Sequence, residues 1–318
     1  GGLNPAATFW QDIVSAPLNL TEYTSDFSLN FDLLQNGTNY IAFQIKDIAG
    51  NTTTYFDVFR VLKDQIKPAI ADNQAGDDTW RNTNSGVYDI DFADTLSGIT
   101  TAQYIIYQQA NFQGTQLTNW TTVYSGSPAP SYATNWKISD SHFNTLPEGI
   151  SYVSVRAFDS VGNSSTTADV FYIKKDTSAP QIVDNENDDE TWYNTARNYN
   201  VDFYDYSSLL NKSEYTAYLG GYLSGIKIID WTPIFNNLNS SSYGTDWAAD
   251  FPSLGQGYNF ITVRSFDYAG NISTTNVFYV KKDTAPPQAI TDLTAGTGTS
   301  EGEINLTWTT PVDPQPGS

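Results

Sequence analysis

The chain has 318 residues, with 15 Lys or Arg against 35 Asp or Glu for a net charge of −20, no Cys, no Met and one His. The lack of Cys excludes a disulfide framework, thiolate metal sites, iron–sulfur clusters and a Cys nucleophile, and His142 alone cannot build a multi-histidine centre. So acidic a chain lacks the clustered Lys and Arg that phosphate contacts need, which excludes nucleic acid and anionic membrane surfaces as partners.

Aromatic residues make up 14% of the chain, too many for a disordered segment. Asn (27), Ser (28) and Thr (37) add to 92 residues, so the surface is polar mainly through uncharged groups. No run of 18 apolar residues and no signal-peptide pattern occurs, so no membrane insertion is expected. Opening at Gly1 with no Met anywhere, the sequence reads as a piece of a longer chain.

Self-comparison reveals the organisation. Repeat one ends in GTNYIAFQIKDIAGNTTTYFDVFRVLKD (Gly37–Asp64), repeat two in GISYVSVRAFDSVGNSSTTADVFYIKKD (Gly149–Asp176), and repeat three in GYNFITVRSFDYAGNISTTNVFYVKKD (Gly257–Asp283). The Asp of the shared D-x-x-G-N falls at Asp47, Asp159 and Asp267, spacings of 112 and 108. Trp80, Trp120 and Trp136 recur as Trp192, Trp231 and Trp247. A period near 110 is the size of a whole domain, so the chain is a string of beads.

Within a bead the local period is two. In repeat two the strands are expected near 68–71, 87–92, 102–108, 117–124, 133–139, 150–158 and 169–174. No window shows a 3.6-residue apolar stripe. Seven short strands in about 110 residues match an immunoglobulin-like sandwich. The predicted class is all-β, tandem immunoglobulin-like β-sandwiches in an elongated rod. Its layout is the C-terminal part of one domain (1–63), two whole domains (64–175 and 176–283) and the first strands of another (284–318).

Several of these residues form a known pattern. D-x-x-S-G-I-x-x-A-x-Y (Asp94, Ser97, Gly98, Ile99, Ala102, Tyr104), the V-x-V-R-A-x-D-x-x-G-N hairpin and K-K-D-T-x-A-P resemble the tandem Ig-like domains of large bacterial surface and secreted proteins. The tail from Ala285 resembles the opening strands of a fibronectin type III domain, with Trp308 at the usual core position. The resemblance implies architecture more than activity. Leu146, Gly149 and Tyr152 fit a tyrosine corner, as do Leu34, Gly37 and Tyr40. Repeat three has Phe260 there, so it is expected to compensate or to be less stable. The joints Lys174–Pro180 and Lys281–Pro287 are short, and their prolines narrow the hinge.

Candidate chemistry is sparse. Asp47, Asp159 and Asp267 read either as calcium ligands or as the anchors of hairpin turns with Gly50, Gly162 and Gly270 at positive φ; the turn is the preferred reading. Asp77, Asp78 and the run Asp188-Asp189-Glu190 are expected near a joint, where with Glu148, Asp176 and Asp267 they offer the oxygens of a Ca²⁺ site. Against this, no EF-hand loop or cadherin-like linker is present, and Lys174 and Lys175 can neutralise the charge. The recurring tryptophans suit core packing better than sugar stacking. Tyr204, Tyr206, Tyr218 and Tyr222, particular to repeat three, suit a ligand better. His142 reads as a surface or capping residue, and Gly296–Gly302 as a hairpin loop without phosphate-binding character. No catalytic residue and no resident cofactor are expected.

The expected role is a non-enzymatic spacer, stalk or assembly segment of an extracellular bacterial surface protein or filament. The alternatives are an adhesin or carbohydrate-binding module, or an accessory region of a secreted hydrolase. Expected partners are other surface proteins, copies of the chain itself joined head to tail with Glu303–Thr309 completing residues 1–63, or a glycan.

Overall fold

The computed structural model describes residues 10–14, 20–74, 77–186 and 190–313. The described residues are nearly all β, and they gather into two compact units. One takes its residues from Gly1–Gly76, Gly86–Lys137 and Tyr152–Phe171, the other from Asp77–Ser85, Ile138–Ser151 and Tyr172–Ser318.

In the first unit, Gly37–Lys46 and Thr52–Lys63 form the antiparallel hairpin of repeat one. Repeat two contributes a three-stranded sheet in the order Ala69–Asp72, Ile90–Ala93, Ser131–Tyr132. Its long strand Ile99–Gln109 pairs Ala102 with Ala157 and Tyr104 with Val155 on one side, and Ala102 with Tyr124 on the other. Ile90 and Phe92 alternate with half-buried neighbours and are fully buried, and Ile99, Tyr104, Val153, Val155 and Phe171 of the same unit are buried too. Tyr88 stacks on Phe171 at 3.7 Å, and Trp136 packs on both.

The second unit contains the whole of repeat three and repeats the plan. One sheet has the order Gln181–Asp184, Val201–Tyr204, Ser242–Tyr243. The other has the order Trp192–Tyr193, Ile272–Lys282, Gly257–Asp267, Leu210–Leu219, Ile226–Phe235. Both sheets feed one core: Val201 and Phe203 from the first, Leu210, Tyr215, Ile261, Val263, Phe278 and Val280 from the second. That is an immunoglobulin-like sandwich, closed by packing alone. Along Gly257–Asp267 the inward set is Asn259, Ile261, Val263, Ser265 and Asp267, the period of two that the sequence shows. The fibronectin-like tail forms a hairpin of Thr294–Thr297 with Ile304–Thr307, and Gly298 N–H donates to Glu303 O across its turn (2.9 Å).

Two local features differ from the sequence reading. The segment expected as a strand at 133–139 is reduced to an isolated bridge, Tyr88 with Trp136, and is followed by a helix at Asp140–Thr145. Six residues are too few to show an apolar stripe; the helix forms because Ser139 caps it, its Oγ accepting from His142 N–H (3.2 Å), and Phe143 plugs the core. The corner before the Gly257 strand is held by Asn259, fully buried, whose Nδ2 donates to Gly255 O, Gly257 O and Val280 O. Asn39 does the same in repeat one with Gln35 O, Gly37 O and Val61 O, while Tyr40 is 60% exposed. Repeat three makes the same amide bonds with Phe260 at the position of Tyr40.

Candidate functional site

The D-x-x-G-N segments fold as one turn three times. Asn51, Asn163 and Asn271 each donate N–H and side-chain N–H to the two carboxylate oxygens of Asp47, Asp159 and Asp267, at 2.6–2.8 Å. Gly50, Gly162 and Gly270 take φ of +92°, +97° and +91°, which Gly adopts without steric cost.

Two of these turns do more. Asp176 follows the Ser164–Lys175 strand directly, as Asp64 follows Thr52–Lys63. Asp176 Oδ2 accepts from Ser208 N–H (3.0 Å), and Asp64 Oδ2 accepts from Ser97 N–H (3.1 Å). Asn271 Nδ2 donates to the carbonyl of Asp176 (3.0 Å), as Asn163 Nδ2 does to that of Asp64 (3.3 Å). The third member sits in the loop between two strands: Asp94 Oδ1 accepts from the N–H groups of Leu96, Ser97 and Gly98, and Asp205 Oδ1 from those of Ser207 and Leu209. The result is a pair of equivalent triads, Asp64–Asp94–Asp159 and Asp176–Asp205–Asp267. In each, one carboxylate oxygen per residue lies within 4.8 Å of the others.

The triad of repeat three is the deeper, with Asp176, Asp205 and Asp267 exposed by 0%, 5% and 2%. Among the described residues no Lys, Arg or His pairs with any of the three. Burial pushes the Asp205 carboxyl up, against the pull of its backbone donors, and the Asp176 charge adds to the rise. Asp267 is likewise raised, first by burial and then by Asp176 and Asp205, with Asn271 opposing. Three buried carboxylates without a cation suit a hard divalent ion, which takes carboxylate and carbonyl oxygens.

Of the residues expected to bind calcium, the structure brings together Asp176 and Asp267 and leaves the others apart. Asp77 pairs with Arg81 (2.7 Å) and accepts from Thr79 N–H (3.0 Å); these contacts outweigh burial and hold its carboxyl low. Asp78 is taken by Lys174 (2.8 Å) and the Tyr172 hydroxyl, and its carboxyl is lowered by both. Glu148 accepts from Thr177 N–H (2.9 Å) and Oγ1 (2.6 Å), tying the start of one strand to the joint. Asp188 and Asp189 lie outside the described residues, and Glu190 pairs with Lys281 (2.6 Å).

The sequence reading passed over Asp64, Asp94 and Asp205. The signal for them was that three separate motifs each recur with an Asp; in repeat three it is masked because Leu209 replaces the Gly98 of D-x-x-S-G. A second recurrent element is also new. Lys63, Lys175 and Lys282 are buried, and each Nζ donates to the carbonyls of the helical turn before the corner: Phe31 and Leu34, Asn144 and Leu146, Phe251, Pro252 and Leu254. A cation placed there complements the carbonyl end of the turn. Of the tryptophans, Trp136 and Trp247 are in the cores, while Trp120 and Trp231 lie flat under Arg156 and Arg264 (4.3 and 4.1 Å).

A scan against protein-family models finds no match, and a search of curated proteins finds none. Among solved structures, the chain is similar to the fibronectin(III)-like modules of Clostridium thermocellum CbhA, at 12% identity over 68% of this chain and 94% of that one, TM-score 0.28. It is also similar to a tetra-tandem repeat in the extending region of a large adhesion protein, at 16% identity over 91% and 74%, TM-score 0.31. A third is a Ca²⁺-stabilized adhesin that helps an Antarctic bacterium reach out and bind ice, at 16% identity over 83% and 69%, TM-score 0.34.

Proposed function

We propose that this chain is a non-enzymatic spacer segment of a bacterial surface protein, in which successive sandwiches hold position and carry load. The observation that supports it is the triad: an Asp at the end of one repeat's last strand is bonded into two loops of the next repeat, and the same network occurs twice. A spacer needs stiff joints, and a joint residue fixed by buried and half-buried hydrogen bonds loses the freedom a linker would have. The domain limits 64–175 and 176–283 belong to this reading. Among the described residues no helix is long and apolar enough to cross a membrane.

A divalent cation is the second part of the reading, favoured by the unpaired negative charge of Asp176, Asp205 and Asp267. Calcium would draw the three carboxylates together and stiffen the joint. Self-association is the partner reading: Ile45, Tyr55 and Leu62 of the repeat-one hairpin are exposed, and a second copy covering them raises the mass with concentration. The direct test is to express residues 176–283 alone and melt them in calcium and in chelator. A cooperative transition that rises with calcium supports the reading, and an unfolded fragment under both conditions refutes the domain limits.

A further inference from the structure

The unit that holds repeat three has a cleft of about 390 Å³, within the roughly 300–1,000 Å³ typical of ligand sites. Trp80, Leu209 and Tyr268 line it together with Ser208 and Asn239. Its charged residues, Asp78 and Lys174, are paired with each other at 2.8 Å, so its wall carries no unpaired charge.

Two of the wall residues are not part of the repeated scaffold. Leu209 adopts φ of +75°, where the equivalent position in repeat two is Gly98 at φ +83°. A branched side chain in the left-handed region is strained, and strain of this kind collects where a side chain serves a site. Tyr268 occupies the position of Ser160 in the D-x-x-G-N turn; Ser160 Oγ donates to Ser97 O (2.8 Å), a bond between two loops of repeat two. Tyr268 is 39% exposed, and its hydroxyl, the Trp80 indole N–H and the Asn239 side-chain amide have no hydrogen-bond partner among the described residues. Two aromatic rings and one aliphatic side chain with free polar atoms at their edges make a surface with an apolar floor and hydrogen-bonding rim.

We infer that this cleft binds a neutral saccharide, a pyranose unit of a glycan chain, which offers an apolar C–H face to the rings and hydroxyls to the rim. The paired charges of the wall and the chain's net charge of −20 disfavour an anionic sugar. The inference goes beyond the spacer reading and does not depend on it.

The test uses the full 318-residue chain on an array of neutral hexose and N-acetylhexosamine oligosaccharides with their sialylated counterparts, followed by saturation-transfer NMR with each hit at millimolar concentration. Binding of a neutral glycan is expected, weakened about tenfold or more in Tyr268→Ser and in Leu209→Gly. Both variants install the residue that repeat two carries at that position, so their melting temperatures should not fall. Phe112→Ala, on an exposed ring packed edge-on against Tyr107 and not part of the cleft lining, should leave binding unchanged. No neutral glycan bound, preference for sialylated glycans, or equal binding by Tyr268→Ser would each overturn the inference.

Discussion

Replacing Asp205 by Asn separates the electrostatic part of the triad from its hydrogen bonds. Asn keeps the Oδ1 acceptor that Ser207 and Leu209 N–H groups use, and removes one buried charge. At 4.8 Å and an effective dielectric near 20, two carboxylates repel by about 3–4 kcal/mol, and Asp205 faces two. Proton uptake relieves much of this, so the net gain on removing the charge is on the order of 1–3 kcal/mol in chelator at neutral pH. For a domain of this size each kcal/mol moves the melting temperature by about 4–8 °C. In calcium the sign reverses: the wild-type chain is stabilised by mass action, about 2.7 kcal/mol at a hundredfold excess over the dissociation constant, and the variant has lost a ligand. Calorimetry of both proteins in chelator and in millimolar calcium gives the answer. A variant that melts below the wild type in chelator, or that gains as much from calcium, refutes the electrostatic account of the triad.

Three further outcomes follow from the same structure. Lys282→Met removes the donor to Phe251, Pro252 and Leu254 carbonyls, two of these bonds being buried, and should cost about 2–4 kcal/mol in urea melts. Phe203→Ala empties a fully buried site between Phe235 and Tyr243 and should cost about 3–5 kcal/mol, read as a lower urea midpoint with unchanged slope. The pH dependence in chelator has a definite sign. Asp205 and Asp267 bind protons more readily folded than unfolded, so their contribution is fully present below the unfolded carboxylate value and is lost as pH rises through the raised folded values. The stability gap between wild type and Asp205→Asn should therefore close on acidification from pH 7 towards about 4, measured by melts across that range.

The fold could be read from the sequence because its strongest signals are local and repeated. The alternation along Ile150–Phe158 and the Gly50, Gly162 and Gly270 turns each follow from a few neighbouring residues. The triads could not be read the same way, because successive members of each set are 29–65 residues apart along the chain and are joined only by the sandwich. Charge density pointed instead to Asp77, Asp78 and Glu148. Asp77 and Asp78 are adjacent in sequence, but in space these three carboxylates are neighbours of Arg81, Lys174 and Thr177, which satisfy them. The paired lysines of K-K-D look like surface charges in the sequence. Strand alternation sends the second of each pair inward, where the carbonyls of the helical turn receive it.

Stretching single molecules tethered at the two ends tests whether the repeats carry load. Residues 176–283 number 108, so unfolding one repeat should release about 35 nm of chain at roughly 3.6 Å per residue, less its folded length. Two separate events of that size, at higher force in calcium than in chelator, are the result predicted for sandwiches that fold independently and are held at their joints by aspartate triads. One event of double length, or extension without discrete events, would contradict it.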